Sequence, residues 1–389
     1  MKAARYYGPG EVRVDNVEVP VAGHGQVKIK TAWNALSATD VHMFSATLTT
    51  LAPTASKPNK LTGEKLPITM GHQFSGTIVD VGSGVDASKW KRGQKVAVAL
   101  RMSPSYNQQA QSILREDPSA HHSSLSAPLV SCLKETCIPC TTGRQNVCPK
   151  ATFIGIGGRG GGLAEYVSVN VQNVHHLPAN VTFETGAMLE SLAVAYHAVK
   201  RCGYSLGQTA LVSGAGTVGL LIVKVLRSID PDATIIVSEP NVARRTFASR
   251  YGATVVDPIS SQGIVLARVY GETLGVGVDV AFETAGTQTS FDSALMCVKP
   301  HGSIVNIAIW QQSPNVNINL LNAREIALTG IMGYGGEYPT ALRALATGRI
   351  SGIEDLVTKK IQLQDVVQEG LLPLLVKEET EVGILVQPY

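Results

Sequence analysis

The chain reads as an all-β unit followed by a doubly wound parallel α/β sheet, with a strand-like end that can return to the first unit. Three observations predict this. Short runs with period-2 alternation fill residues 1–100, the pattern of half-buried strands. From Pro178 onward, apolar runs of strand length alternate with helical patterns, as in a parallel sheet. One strand–turn–helix there carries Ser213-Gly-Ala-Gly-Thr-Val-Gly219, a glycine-rich turn in the context that binds dinucleotides.

In order, Val12–Val14, Gln26–Lys30, Gly76–Val81 and Lys95–Leu100 are the predicted strands of the first unit, separated by turn signals. Residues 45–65 and 101–131 are polar and read as surface loops. The second is long enough to be functional or mobile. The glycine-dense stretch Gly155–Gly162 leads into another strand, Ala164–Val169. Thr182 reads as an N-cap with Glu184 in the first turn, and the helix runs through Met188 to about Arg201. Then come the glycine turn, a helix over Arg244–Arg250, strands at Val278–Phe282 and Gly302–Ala308, and a helix over Thr340–Thr347. The expected boundaries are 1–179 for the β domain, 180–335 for the α/β domain and 336–389 for the return, with a Cys lobe at about 130–150.

In the glycine turn, Gly214 makes the tight bend. Gly216 lets the backbone approach a pyrophosphate, and Gly219 lets helix pack on strand. The helix starting near Thr217 and Val218 presents free N–H groups to phosphate. The next apolar run, Ala233–Ser238, ends in Glu239, an acid placed to accept hydrogen bonds from a ribose. A carboxylate there repels a 2′-phosphate, so NAD(H) is expected over NADP(H). Arg244 and Arg245 keep NADP(H) open, since either can pair with that phosphate.

The 389 residues carry 44% hydrophobic and 16% charged side chains and a net charge of +3. No basic stretch tracks phosphates, which disfavours nucleic-acid binding. No run is long enough to span a bilayer, and the N-terminus moves directly into a strand-like alternation. A cytoplasmic protein is expected. Of six Cys, four lie close together: Cys132, Cys137, Cys140 and Cys148. In a reducing compartment that reads as metal binding. His121 and His122 are nearby spare donors, and Cys202 and Cys297 read as buried small hydrophobes.

Several separate stretches resemble one family. Gly71-His-Gln-Phe-Ser-Gly76 with Gly82 and Val85 matches, but for one position, the signature of zinc-type medium-chain dehydrogenases/reductases. Thr39-Asp40-Val-His42, the Cys lobe, Gly214–Gly219, Ser238-Glu-Pro240 and Asn306–Trp310 also fit, as does Leu61–Pro67. The chain resembles the butanediol and sorbitol dehydrogenase branch over its whole length. The resemblance implies a GroES-like β domain interrupted by a Rossmann domain, an active site between them, and a homodimer or homotetramer acting on a small molecule. It implies a structural zinc on the four Cys. The last two gaps between them match the family, and the first is wider.

The resemblance also places the reaction centre. The family holds a catalytic zinc with Cys, His and Glu, which correspond here to Ser37, His72 and Glu190. Gln73 stands where a Glu follows that His, and Ala38 where a Gly precedes Thr39. A serine hydroxyl stays protonated near neutral pH and is a far weaker zinc ligand than a thiolate. Gln73 removes a negative charge that helps to balance the dication. Both changes lower zinc affinity, so no tightly held catalytic zinc is expected, although His72 and Glu190 remain as metal ligands if one persists. Without zinc, His72 and Glu190 are the expected general acid–base pair. Asp40 is placed to orient His72, and Thr39 and His42 match the family's proton relay. His197, about two turns beyond Glu190, is expected to pack. Ala285, Ile307 and Ala308 lie at strand ends that face the nicotinamide in the family.

Three functions stay open on the sequence. The first is an NAD(H)-dependent oxidoreductase with a metal-depleted site, acting on a carbonyl, imine or activated alkene, a departure that suits a specialised biosynthetic pathway. The second is a conventional zinc polyol or 2,3-butanediol-type dehydrogenase. The third is an NAD-binding protein that transfers no hydride.

Overall fold

The computed structural model describes residues 1–45, 52–54, 56–59, 62–102, 137–261, 263–376 and 381–389. Cys132, His121, His122 and most of the 101–131 loop lie outside them. The chain forms two compact units, Met1–Glu190 with Lys359–Tyr389, and Ser191–Thr358.

The first unit is built on a mostly antiparallel sheet. Strand Gln26–Ala35 pairs with Phe74–Val81, with Tyr166–Asn170 and with Gly383–Gln387. Lys95–Val98 and Val174–His176 extend it on one side, and Val357–Gln362 lies at the other edge. The alternation read from the sequence is the burial pattern here. Val27 and Ile29 are fully buried, as are Ile78 and Val96, while the residues between them are partly or fully exposed or face another layer. Val27, Ile29, Phe74, Ile78, Val96 and Val167 share one apolar core. A second core joins Tyr6, Met43, Ile68 and Leu163 to Leu363, Ile384 and Val386 from the end of the chain. That packing is why the C-terminal segment returns to the first unit.

The second unit is a six-stranded parallel sheet. Its order is Thr254–Val256, Ile235–Ser238, Ala210–Ser213, Val278–Glu283, Val298–Asn306 and Ala327–Gly330. The order reverses direction at Ala210–Ser213, the strand that runs into the glycine turn. In doubly wound sheets the strand ends at such a switch point form the ligand crevice. The central strands are buried on both faces, so they read as continuous apolar runs. Helix Thr217–Ile229 buries Leu220, Leu221, Ile222, Val225 and Leu226.

Two expectations shift. The boundaries expected at 180 and 336 fall instead at Ser191 and Lys359. Helix Tyr338–Ala346 buries Tyr338, Ala341 and Leu345, Glu337 binds His197 and Lys200, and Lys224 donates to Ser351 O, so this stretch belongs with the parallel sheet. The helix begun at Thr182 is broken at Met188, giving Phe183–Ala187 and Leu189–Arg201. The break puts Glu190 in the first turn of the second helix. Among the described residues, no helix is long and apolar enough to cross a membrane.

Candidate functional site

In the second unit the glycine turn is built as the sequence predicts. Gly214 has φ +99°, and a Cβ there would lie 2.7 Å from Thr284 Oγ1. A Cβ on Gly219 would lie 2.1 Å from Gly214 O, so helix and turn touch through backbone alone. A Cβ on Gly216 would meet nothing within 4 Å among the described residues. Gly216 is therefore not required by packing, and the space it leaves faces outward at the start of helix Thr217–Ile229, where it is the N-cap. Thr284 holds the turn from the adjoining strand end, donating to Ser213 O and Gly214 O at 2.8 and 2.9 Å. In sequence Thr284 stands only as part of the strand end Phe282–Gly286, and nothing there assigns it this hold on the turn.

Glu239 is buried at the end of the neighbouring strand. One carboxylate oxygen accepts from Ala215 N at 2.7 Å and the other from Asn241 N at 2.9 Å. A carboxylate has about four acceptor positions, so a ribose hydroxyl can share it. Arg245 is turned away from that role. Its guanidinium donates to Glu239 O and Pro240 O at 2.7 and 2.6 Å and pairs with Asp257 at 3.1 Å. The backbone N–H of Arg244 sits in the helix N-cap, donating to Asn241 Oδ1. Asp257, at the next strand end, was not foreseen; nothing in the sequence ties it to Arg245.

Ala285, Ile307 and Ala308 lie just past the strands Val278–Glu283 and Val298–Asn306. Glu283 organises them: its carboxylate accepts from Ala285 N and Gly286 N, each at 3.1 Å, and from Ser290 Oγ at 2.6 Å. Ile307 N and Ala308 N donate to Glu283 O. Glu283 has no exposed surface, and burial raises its carboxyl above the ordinary range despite these donors.

In the first unit, Ser37, Thr39, Asp40, His72, Gln73 and Glu190 come together. Ser37 caps the short helix Ala38–Phe44, accepting from Thr39 N and Asp40 N, while Asp40 accepts from Ser37 N at 2.9 Å in a reciprocal capping box. Ser37 Oγ lies 3.0 Å from His72 Nε2 and 3.1 Å from Asp40 Oδ2. His72 Nδ1 lies 3.4 Å from Asp40 Oδ1, and among the described residues neither atom has a hydrogen-bond partner. Both side chains are buried. Burial works against charge on His72, but the Asp40 carboxylate and Glu190 outweigh it, so its pKa is raised. His42 lies in the last turn of the same helix, half-buried.

Glu190 takes Gln73 rather than His72 as its hydrogen-bond partner, with Gln73 Nε2 donating to Glu190 Oε2 at 2.7 Å. The direct His72–Glu190 pair expected from the sequence is therefore replaced by two pairings, because the amide of Gln73 reaches the carboxylate first. Burial pushes the Glu190 carboxyl up to about 7, with Asp40 adding to it and His72 and Gln73 opposing.

Cys137, Cys140 and Cys148 form the one group of three or more His, Cys, Asp or Glu side chains, among the described residues, whose ligand atoms gather within 4.8 Å. The sulfurs of Cys137 and Cys148 are 3.8 Å apart and unbridged. Thiolates at about 2.3 Å on a tetrahedral zinc are themselves about 3.8 Å apart, so the geometry fits that ion. Burial pushes the Cys148 thiol up to about 12, so its thiolate needs a cation beside it. The fourth expected ligand, Cys132, lies outside the described residues. His197 does more than pack: it and Lys200, with Gly335 N and Gly336 N, surround the Glu337 carboxylate at 2.7–3.1 Å.

Residues 23–179 match the alcohol dehydrogenase GroES-like domain, and residues 217–347 match the zinc-binding dehydrogenase domain. Over 388 residues the chain is 33% identical to (R,R)-butanediol dehydrogenase of Bacillus subtilis, covering all of both chains. The chain belongs to the zinc-type medium-chain dehydrogenases/reductases. It is an oxidoreductase of that family, in the butanediol and sorbitol dehydrogenase branch. It is 29% identical to sorbitol dehydrogenase of Bacillus subtilis, covering 95% of this chain and 94% of that one. The crystal structure of 2R,3R-butanediol dehydrogenase from Bacillus subtilis superposes with a TM-score of 0.83 at 33% identity, covering 100% of this chain and 99% of that one. The GroES-like and Rossmann domains expected of this family are thus both present.

Proposed function

We propose that this medium-chain dehydrogenase interconverts a small secondary alcohol of the vicinal diol or polyol class with its ketone, using NAD(H). The observation that carries the reading is likeness to (R,R)-butanediol dehydrogenase over the entire chain. That likeness favours the conventional diol or polyol substrate over the imine or activated alkene that a metal-depleted site also allows. It equally disfavours a protein that binds NAD without redox chemistry.

The cofactor assignment rests on the second unit. Glu239 sets a negative charge at the strand end that receives the ribose, and Arg245 is held back by Asp257 and two carbonyls. A 2′-phosphate would meet the carboxylate, and Arg245 is already engaged and not free to balance it. The glycine turn supplies N–H groups and space for the pyrophosphate. The Cys lobe would hold a structural zinc, which staples the loop and takes no part in hydride transfer.

The test follows NADH absorbance with 2,3-butanediol, acetoin, diacetyl and sorbitol, with NADPH in parallel. Turnover is expected on at least one diol or hydroxyketone, with NADH bound at least about tenfold more tightly than NADPH, or about 1.4 kcal/mol. No turnover on the whole panel would overturn the substrate reading. Equal affinity for the two nucleotides would overturn the cofactor reading.

A further inference from the structure

We infer that the chain moves the substrate proton through a hydrogen-bonded Ser37–His72–Asp40 relay and holds no catalytic zinc at that position, an inference that rests on the alcohol–ketone reading above. Donor chemistry and geometry both stand against a catalytic zinc here. A catalytic zinc takes three protein donors from thiolate, imidazole and carboxylate and keeps a fourth position open. Here one of the three corresponding positions is a neutral hydroxyl. Ser37 Oγ is also committed elsewhere, as the cap for Thr39 N and Asp40 N.

The imidazole is committed too. Its Nδ1 faces Asp40 Oδ1, which leaves Nε2 as the nitrogen a metal would need. Nε2 instead faces Ser37 Oγ at 3.0 Å. At Glu190, the Gln73 amide directs an N–H at the carboxylate from 2.7 Å, and the positive end of that dipole opposes a cation on the same oxygen. The Cys lobe of the same chain shows the contrast. There three ligand atoms converge within 4.8 Å, whereas Asp40, His72 and Glu190 form no such group.

What the site presents instead is a chain of proton carriers. Asp40 and His72 are buried and Ser37 is partly exposed, so the hydroxyl is the end that can reach a substrate oxygen. In reduction, a bound NADH would supply the hydride that the carbonyl carbon takes up, leaving NAD⁺. The carbonyl π pair moves to oxygen, which takes the proton of Ser37 Oγ. Ser37 recovers a proton from Nε2 of the imidazolium, whose Nδ1 faces Asp40 Oδ1. Ketone, NADH and one proton become alcohol and NAD⁺, and oxidation runs the same steps backward. Ser37 is the catalytic residue, and Asp40 is a positioning residue.

The experiment counts zinc in protein purified without chelator. One zinc per chain is expected, falling to none in Cys140→Ser, and rising to two in Ser37→Cys/Gln73→Glu, where the thiolate and the second carboxylate return. Two zinc ions per wild-type chain that survive dialysis, or one that persists in Cys140→Ser, would overturn the inference. Should the double variant not fold, wild-type turnover decides: it is expected to be insensitive to a strong zinc chelator, and its loss would refute the relay. Ser37→Ala is expected to lower kcat by about 100-fold with NADH affinity unchanged, and Ser37→Thr, which keeps both hydroxyl and cap, to recover most of it. Unchanged kcat in Ser37→Ala would remove the relay. If no diol or hydroxyketone is turned over, the alcohol–ketone reading fails by itself, and the zinc counts still decide the metal.

Discussion

The glycine turn makes a prediction in which folding and binding part company. Among the described residues a methyl group at Gly216 meets no atom within 4 Å, and the backbone there, φ −70° and ψ −178°, suits alanine. Gly216→Ala removes freedom from the unfolded chain, which stabilises by about 0.4–1 kcal/mol. It also gives up glycine at an N-cap, at a cost of about 0.5–1 kcal/mol. The two nearly cancel, so Tm should move by no more than about 2 °C. Binding is expected to differ, because that open space is the approach proposed for the pyrophosphate. Overpacking costs about 1–3 kcal/mol, which is about 5- to 150-fold in NADH affinity. Gly219→Ala is the control. Its Cβ would press on Gly214 O at 2.1 Å, a backbone atom that cannot step aside, so stability and binding should fall together. Fluorescence titration with NADH, paired with thermal melts, measures both quantities. If Gly216→Ala binds NADH as wild type does, the turn does not receive the pyrophosphate. If it melts far below wild type, the position serves packing and the reasoning fails.

Three further outcomes are expected. Glu239→Ala should weaken NADH by about tenfold and narrow the gap to NADPH, and Asp257→Asn, which removes the ion pair that helps to hold Arg245, should also narrow it; unchanged NADPH-to-NADH affinity ratios would show that neither acid sets the preference. Burial alone would raise the Glu337 carboxyl, but His197, Gly336 N–H and Lys200 hold it well below the usual carboxylate range. Its stabilisation is therefore present above about pH 4.3 and is lost as pH falls toward the depressed folded-state value. Glu337→Gln should cost about 1–2 kcal/mol at pH 7, little of it from the 75% exposed Lys200, and should flatten the acid limb of the stability curve; parallel curves for the two proteins would contradict this. Cys140→Ser should release the lobe's zinc to a colorimetric chelator while NADH affinity stays within about twofold; a large loss of NADH binding would mean that the lobe does more than staple a loop.

Much of the site was legible in the sequence because it is local. Gly214, Gly216 and Gly219 act through a turn of seven residues, and Glu239 follows at a spacing that one helix and one strand impose. The strand alternation in residues 1–100 follows from side chains pointing to opposite faces. The return of the last segment was also readable in outline, though its start was placed too early. Helix Tyr338–Ala346 looks the same in sequence whichever unit it packs on, and Glu337 gathering His197 and Lys200 is what assigns it.

The sequence by itself determined the two domain types, the dinucleotide turn and the substitutions at Ser37 and Gln73, since each depends on residue type and short-range spacing. Only the tertiary structure decided how those substitutions are wired. Glu190 stands 117 positions from Gln73, and Ser37 stands 35 from His72. No spacing rule says which acceptor the Gln73 amide reaches first, or which nitrogen of His72 meets a hydroxyl. The same holds for Arg245, whose charge alone suggests a phosphate partner until folding brings Asp257 against it. Partner choice among buried polar groups depends on which donors and acceptors are left within about 3 Å once the apolar cores have closed, and that is settled in three dimensions.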